Sequence, residues 1–282
     1  MGNVIDYWKL MVPEYVPMAI TTLFAGAVVT TSALPGISFW LLVVALFCIV
    51  GAFNSFNAIA DREIDKINNP HRPIPSKRIQ ERHALYFSIA LYLIALILAL
   101  SVNETAFFVI AGCVLLTAAY SYPKINLKKR FFLGTLTVTV FYATLCFIAG
   151  WALTPTNPFP REIAAFLFIL GLGLAITKDF MDLPGDAFNR AHTLPVKFGY
   201  LQSLAIIGFI LTIAFAFFTI IIYQGLLPQK YYLLLVFYPL MLFNLFGYVE
   251  HHKSFLTTHL FRTTMVFIMM LEMAIAALTI FA

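Results

Sequence analysis

Charge is scarce in this sequence, and that scarcity excludes a water-soluble fold. Charged side chains make up 11% of the 282 residues, where a soluble domain of this size carries about 25%. No polar stretch between apolar runs is longer than the one from Asp61 to about Arg82, which leaves no room for a separate soluble domain. Cysteine is sparse too: Cys48, Cys113 and Cys146 all lie inside apolar runs. An odd number of cysteines in apolar surroundings points to buried apolar side chains rather than to disulfides or a metal site. The first fifteen residues set Asp6, Lys9 and Glu14 among apolar side chains without a small-residue cleavage site, so no removable signal peptide is expected. The end, Thr-Ile-Phe-Ala, is not a prenylation box.

What is present is hydrophobic, at 61% of residues and a mean hydropathy of +0.90. A lead segment to about Tyr15 reads as a short interfacial helix, with Tyr7 and Trp8 suited to the headgroup zone. Apolar runs follow at about 16–35, 38–60, 83–102, 105–122, 132–153, 162–180, 202–224, 231–249 and 263–282. Each is long enough, as helix, to cross a hydrocarbon core of about 30 Å. The expectation is an all-α, multi-pass integral membrane protein: one domain over 1–282, with nine transmembrane helices around a central cavity.

The net charge of +5 raises nucleic acid as a partner, but the placement of the basic residues argues against it. With nine crossings, all but Arg161 and Lys230 of the 18 Lys and Arg residues fall on the side of the N-terminus. The positive-inside rule then puts the N-terminus and the charged loops in the cytoplasm, facing membrane lipids, and the active site with them. The opposite connections, such as Pro35-Gly36 and Gly225 to Pro228, are short and rich in turn formers.

Two acidic clusters stand on the charged side. Asn57, Asp61 and Asp65 recur every four residues and share one helical face. Asp179, Asp182 and Asp186 are spaced three then four. At an offset of 121, Asp61 meets Asp182, Asp65 meets Asp186, Asn68 meets Asn189 and His71 meets His192. An even number of helices separates the clusters at 57–65 and 179–186, so the halves repeat in parallel and both rows open to one cavity. Five carboxylates in a low-dielectric site repel one another unless a cation lies between them, and Mg²⁺ suits such oxygen ligands. His71 and His192 stand alone and read as loop residues. Arg72 and Lys178, beside the clusters, are candidates to neutralise a diphosphate, while the other loop cations, Lys77 and Arg78 among them, read as topology determinants. Glu272, midway along the last run, finds no partner in the sequence.

Asn57-x₃-Asp61-x₃-Asp65, then Asn69-Pro-x-Arg72-Pro-Ile-Pro, Tyr120-Ser-Tyr122-Pro and Asp179-x₂-Asp182-x₃-Asp186 with Thr193-Leu-Pro resemble the UbiA superfamily of intramembrane prenyltransferases. The resemblance covers nearly the whole chain. It implies that Asn57, Asp61, Asp65, Asp179, Asp182 and Asp186 hold Mg²⁺ and a prenyl diphosphate, with Asp61, Asp65, Asp182 and Asp186 essential to the reaction. Arg72, Lys128 and Lys178 would grip the phosphates, and Tyr120 and Tyr122 would face the developing carbocation. No Arg occurs in the Lys9-to-Tyr15 stretch, which argues against an aromatic acid as acceptor. The wording Asp-Arg-Glu-Ile-Asp is similar to synthases that use C20 donors. That implies geranylgeranyl diphosphate as donor and a lipophilic acceptor, geranylgeranylglyceryl phosphate or, alternatively, an aromatic or chlorophyllide-type molecule. A cation-coupled transporter is the rival from another class, but it calls for carboxylates near the bilayer midplane, whereas these stand at helix ends.

Overall fold

Asn3 starts the first helix with a capping box: its side chain accepts from Asp6 N at 2.9 Å, and the Asp6 carboxylate accepts from Asn3 N at 3.2 Å. This helix, α1 (Val4–Met11), buries Leu10 and Met11 and leaves Val4, Ile5 and Trp8 exposed. The computed structural model describes residues 2–130, 132–181, 183, 193–248 and 254–281, except the side chains of Asn68 and 254–258. Val12, in the left-handed region at φ 47°, ends α1, and Pro13 opens a 3₁₀ turn that leads into α2 (Val16–Thr31) at a bend of 41°.

The chain continues through α3 (Ile37–Ala60), α4 (Arg62–Asn68), α5 (Glu81–Leu100), α6 (Glu104–Ser121) and α7 (Leu133–Trp151). It then forms α8 (Arg161–Asp179), the short α9 (Leu194–Phe198), α10 (Tyr200–Tyr223), α11 (Phe237–Gly247) behind a 3₁₀ stretch Gln229–Val236, and α12 (Ser254–Phe281). No strand occurs among the described residues. Cys48, Cys113 and Cys146 are buried and unbridged, as expected.

Seven of these helical segments are long and apolar enough to cross a membrane, or eight if α1 and the bent Pro13–Thr31 segment count as one. The nine expected are not reached on that basis. The run at 162–180 is helical as α8, but Arg161, Glu162, Lys178 and Asp179 at its two ends bring charge into its 19 residues.

Helix α3 is central: it packs on α5, α6, α1 and α2, while α8 packs on α10, α7 and α12. Two glycines set the closest crossing. A Cβ on Gly150 would lie 2.2 Å from Leu23 O, and one on Gly26 would lie 2.2 Å from Phe147 O, so α2 and α7 meet backbone to backbone. Helix α7 carries a π turn at Val140–Leu145. That irregularity turns the face that lines a cavity, at Thr139, Tyr142 and Ala143, into the face that meets α2, at Phe147 and Gly150.

The helix positions repeat at the 121-residue offset. Shifted by 121, α5 falls on 202–221, inside α10, and Leu133–Trp151 falls on 254–272, inside α12. Residues 40–58 of α3 shift onto α8.

Candidate active site

Helix α3 ends at Ala60, yet its hydrogen-bond ladder continues across the break. Asp61 N donates to Asn57 O at 2.9 Å, Asp65 N to Asp61 O at 2.8 Å and Asn69 N to Asp65 O at 2.8 Å. The i→i+4 spacing therefore holds Asn57, Asp61 and Asp65 in line through the junction with α4. Asp61 is 6% exposed and Asp65 is 3% exposed, so each carboxylate needs a partner.

Each has one. Lys128 Nζ donates to Asp61 Oδ2, and Arg72 Nη1 donates to both oxygens of Asp65, at 3.1 and 2.9 Å. Lys128 is set by a tight turn after Asn126 (φ 44°), and Gly134 lets the start of α7 close on it, since a Cβ there would lie 3.1 Å from Lys128 O. Burial pushes the Asp65 carboxyl above its ordinary value, and the opposing pull of Arg72 and Asn69 does not cancel it. Asn57 here steadies Asp61: its Nδ2 donates to Asp61 Oδ2 at 2.8 Å, and its Oδ1 accepts from Ser121 Oγ at 3.3 Å.

The row opens on a polar cavity of about 420 Å³ that Asn57, Asp61, Asp65, Arg72, Lys128 and Lys178 help to line. Behind it lies a narrow apolar cavity of about 40 Å³, walled by Phe53, Tyr120, Tyr142, Leu167, Gly171 and Leu174. Asn54, Asn57, Lys178 and Tyr15 line both and mark the seam.

The two tyrosines part company. Tyr120 is 5% exposed and edges Phe53 at 5.1 Å on the apolar side, whereas Tyr122 is 43% exposed and lines neither cavity. Helix α6 ends at Ser121, and the extended backbone of Tyr122 turns its ring outward. Asp179 is the last residue of α8. Asp182 and Asp186 lie outside the described residues, as do Asn189 and His192. Among the described residues no three His, Cys, Asp or Glu side chains converge on a metal-sized site.

Several contacts escaped the sequence. Arg78 Nη1 donates to the buried Asp6 at 2.7 Å, so Arg78 ties the 69–80 loop to α1. The carboxylate of Glu272 accepts from Thr21 Oγ1 at 2.5 Å and from Thr22 Oγ1 at 2.6 Å, joining α12 to α2 beside the apolar cavity. A polar residue in an apolar run was the signal available for Asn54 and for Glu272, but nothing local announced the partners of Glu272 or the pairing of Arg78 with Asp6.

The UbiA prenyltransferase family matches residues 18–276. The chain belongs to this family. A digeranylgeranylglyceryl phosphate synthase of Methanosphaera stadtmanae is 36% identical over 154 residues, which is 55% of either chain, so this chain spans about half of that relative's length. A synthase of the same name from Methanothrix thermoacetophila is 33% identical over 215 residues, 73% of this chain and 76% of that one. The structure of a UbiA homolog from Archaeoglobus fulgidus bound to DMAPP and Mg²⁺ superposes with a TM-score of 0.75 at 17% identity, covering 96% of this chain and 99% of that one. At that identity the likeness speaks for a UbiA fold.

Proposed function

We propose that the protein is a Mg²⁺-dependent intramembrane prenyltransferase that moves a geranylgeranyl group from its diphosphate to the free hydroxyl of geranylgeranylglyceryl phosphate. The observation that carries this reading is the seam at Asn57 and Lys178, where a cation-lined polar cavity meets an apolar one. A prenyl diphosphate has that same division, a charged head on a hydrocarbon tail. The names of the two synthase relatives support the acceptor, and the A. fulgidus homolog supports a prenyl diphosphate with Mg²⁺.

The residues present fit a hard divalent cation. Asp61 and Asp65 offer only oxygen, and both are already held by positive groups. Asp179, Asp182 and Asp186 complete the proposed set, with Asn57 as a neutral ligand. Bound Mg²⁺ would supply positive charge to the departing diphosphate. Arg72 and Lys128 exchange their carboxylate partners for phosphate oxygens, and Lys178 reaches the same head group from α8. The C1–O bond of the donor breaks with its electron pair leaving on the diphosphate. The acceptor oxygen forms the new bond to C1 and gives up its proton to the departing diphosphate. Buried Tyr120 offers a π face to the charge that develops on C1.

Nine crossings place the N-terminus and the polar cavity on the cytoplasmic side in this reading, with α8 as the crossing whose charged ends face the two surfaces. The distribution of Lys and Arg supports that orientation, and the 121-residue recurrence of helix positions supports two parallel halves within one domain.

The test is transfer by the purified protein. Labelled geranylgeranyl diphosphate, the acceptor and Mg²⁺ should give a product identified by mass. Asp61→Ala and Asp65→Ala should each lower turnover by about a hundredfold or more while the protein stays folded in detergent. Turnover undiminished in both variants sinks the reading.

A further inference from the structure

We infer that Lys9 and Arg262 form a second anion subsite in the polar cavity, one that takes the phosphate monoester of a lipid acceptor. The inference rests on the prenyl-transfer reading and adds the residues that receive the acceptor's phosphate.

Among the described residues five cations line this cavity: Lys9, Arg72, Lys128, Lys178 and Arg262. Arg72 and Lys128 stand on the aspartate row, and Lys178 stands at the seam. Lys9 and Arg262 arrive from other elements, the last turn of α1 and the helix α12. Lys9 makes no ion pair among the described residues. Among the described residues Arg262 reaches Glu14, at 3.6 Å, with the two side chains 53% and 50% exposed. So long a contact between half-exposed groups holds the guanidinium weakly, and an incoming phosphate can take it over.

The place is nevertheless fixed. Asn54 Nδ2 donates to Met11 O at 3.1 Å and to Val50 O at 2.9 Å, which holds the end of α1 on α3. The Tyr15 ring meets the edge of Phe261 at 5.7 Å, one residue away from both Glu14 and Arg262. The two cations are thus carried to the cavity by packed elements.

The donor's diphosphate already has Arg72, Lys128 and Lys178. An uncharged acceptor gives Lys9 and Arg262 nothing to bind, whereas a phosphate monoester matches a guanidinium fork and an ammonium that line one cavity. In a glyceryl phosphate the phosphate is only a few bonds from the reacting hydroxyl, so both anions must enter this one cavity. Cations of their own on the acceptor's side keep the two anions from repelling each other.

The test uses the full chain in a neutral detergent, with geranylgeranylglyceryl phosphate and its dephosphorylated analogue as probes. Binding without donor is read by thermal shift, and turnover by acceptor and donor KM. The wild type should bind the phosphate form more tightly. Lys9→Gln and Arg262→Gln should each raise acceptor KM about tenfold, leave donor KM unchanged and leave the analogue unaffected, and Arg262→Lys should restore part of the loss. A wild type without preference for the phosphate form overturns the subsite, and so does an equal rise in donor KM. Variants that differ from wild type only in anionic lipid vesicles would make the pair a membrane anchor and refute it likewise. Preference for the phosphate without any transfer from geranylgeranyl diphosphate would leave the subsite standing and refute the prenyl-transfer reading.

Discussion

Replacing Asp6 by Asn should weaken donor binding although Asp6 touches no substrate. Its carboxylate accepts from Arg78 Nη1 at 2.7 Å, and the same guanidinium donates through Nε to Ser76 Oγ at 2.9 Å and through Nη2 to His71 O. Ser76 Oγ in turn donates to Arg72 O at 2.7 Å. Arg78 therefore grips the carbonyl before Arg72 directly and the carbonyl of Arg72 through Ser76, and Asp6 holds Arg78. A charge-assisted hydrogen bond contributes about 1.5–3 kcal/mol, and screening lowers this to about 1–2 kcal/mol, because the Arg78 side chain is 39% exposed. Buried Ile74 and Ile79 and the bond from Ile79 N to Pro73 O keep part of the loop in place, so only a share of that loss appears in binding. Donor KM should rise about three- to tenfold, following the fraction of molecules with Arg72 in position. Asn keeps the amide oxygen that completes the capping box, so α1 stays formed. Initial rates against geranylgeranyl diphosphate, at saturating acceptor and Mg²⁺, measure the effect. A donor KM within twofold of wild type, or an equal rise in acceptor KM, refutes the reasoning.

Three further outcomes follow from packing and topology. Gly150→Ala should lower stability by about 3 kcal/mol or more, read by thermal unfolding in detergent, because backbone stands 2.2 Å from the new Cβ; Gly36→Ala, with nothing within 4 Å, is the neutral control. Thr21→Val with Thr22→Val should destabilise more than Glu272→Leu, by about 1–3 kcal/mol. The double variant strands a buried carboxyl, whereas the leucine leaves each threonine with Met18 O, at 3.1 and 2.9 Å. A single Cys at Lys77 in a cysteine-free background should react with an impermeant thiol reagent only in inside-out vesicles, and labelling in right-side-out cells would reverse the proposed orientation.

What was legible in the sequence was what depends on neighbours along the chain. The four-residue spacing placed Asn57, Asp61 and Asp65 in line even though the helix breaks at Asp61, because backbone bonds bridge that break. Apolar runs located the helices to within a few residues, apart from the last, which begins at Ser254 rather than near 263. Lys128 was found only through resemblance, since 67 residues separate it from Asp61. The pairings of Arg78 with Asp6 and of Glu272 with Thr21 and Thr22 span 72 and about 250 residues and have no local signature. Tyr122, which the motif singles out, is turned outward by the helix end and lines neither cavity.

The apolar cavity is narrow, at about 40 Å³. In the proposed reading a hydrocarbon tail enters between its walls and presses on them. Selection for donor length then resembles wedging more than measuring against a ruler, each added isoprene unit gaining burial but costing work against the packing of α7 and α8. Gly171 sets that packing, since a Cβ there would stand 2.7 Å from Ala143 Cβ. The π turn at Val140–Leu145 holds Ala143, so the wall that meets Gly171 is the irregular one.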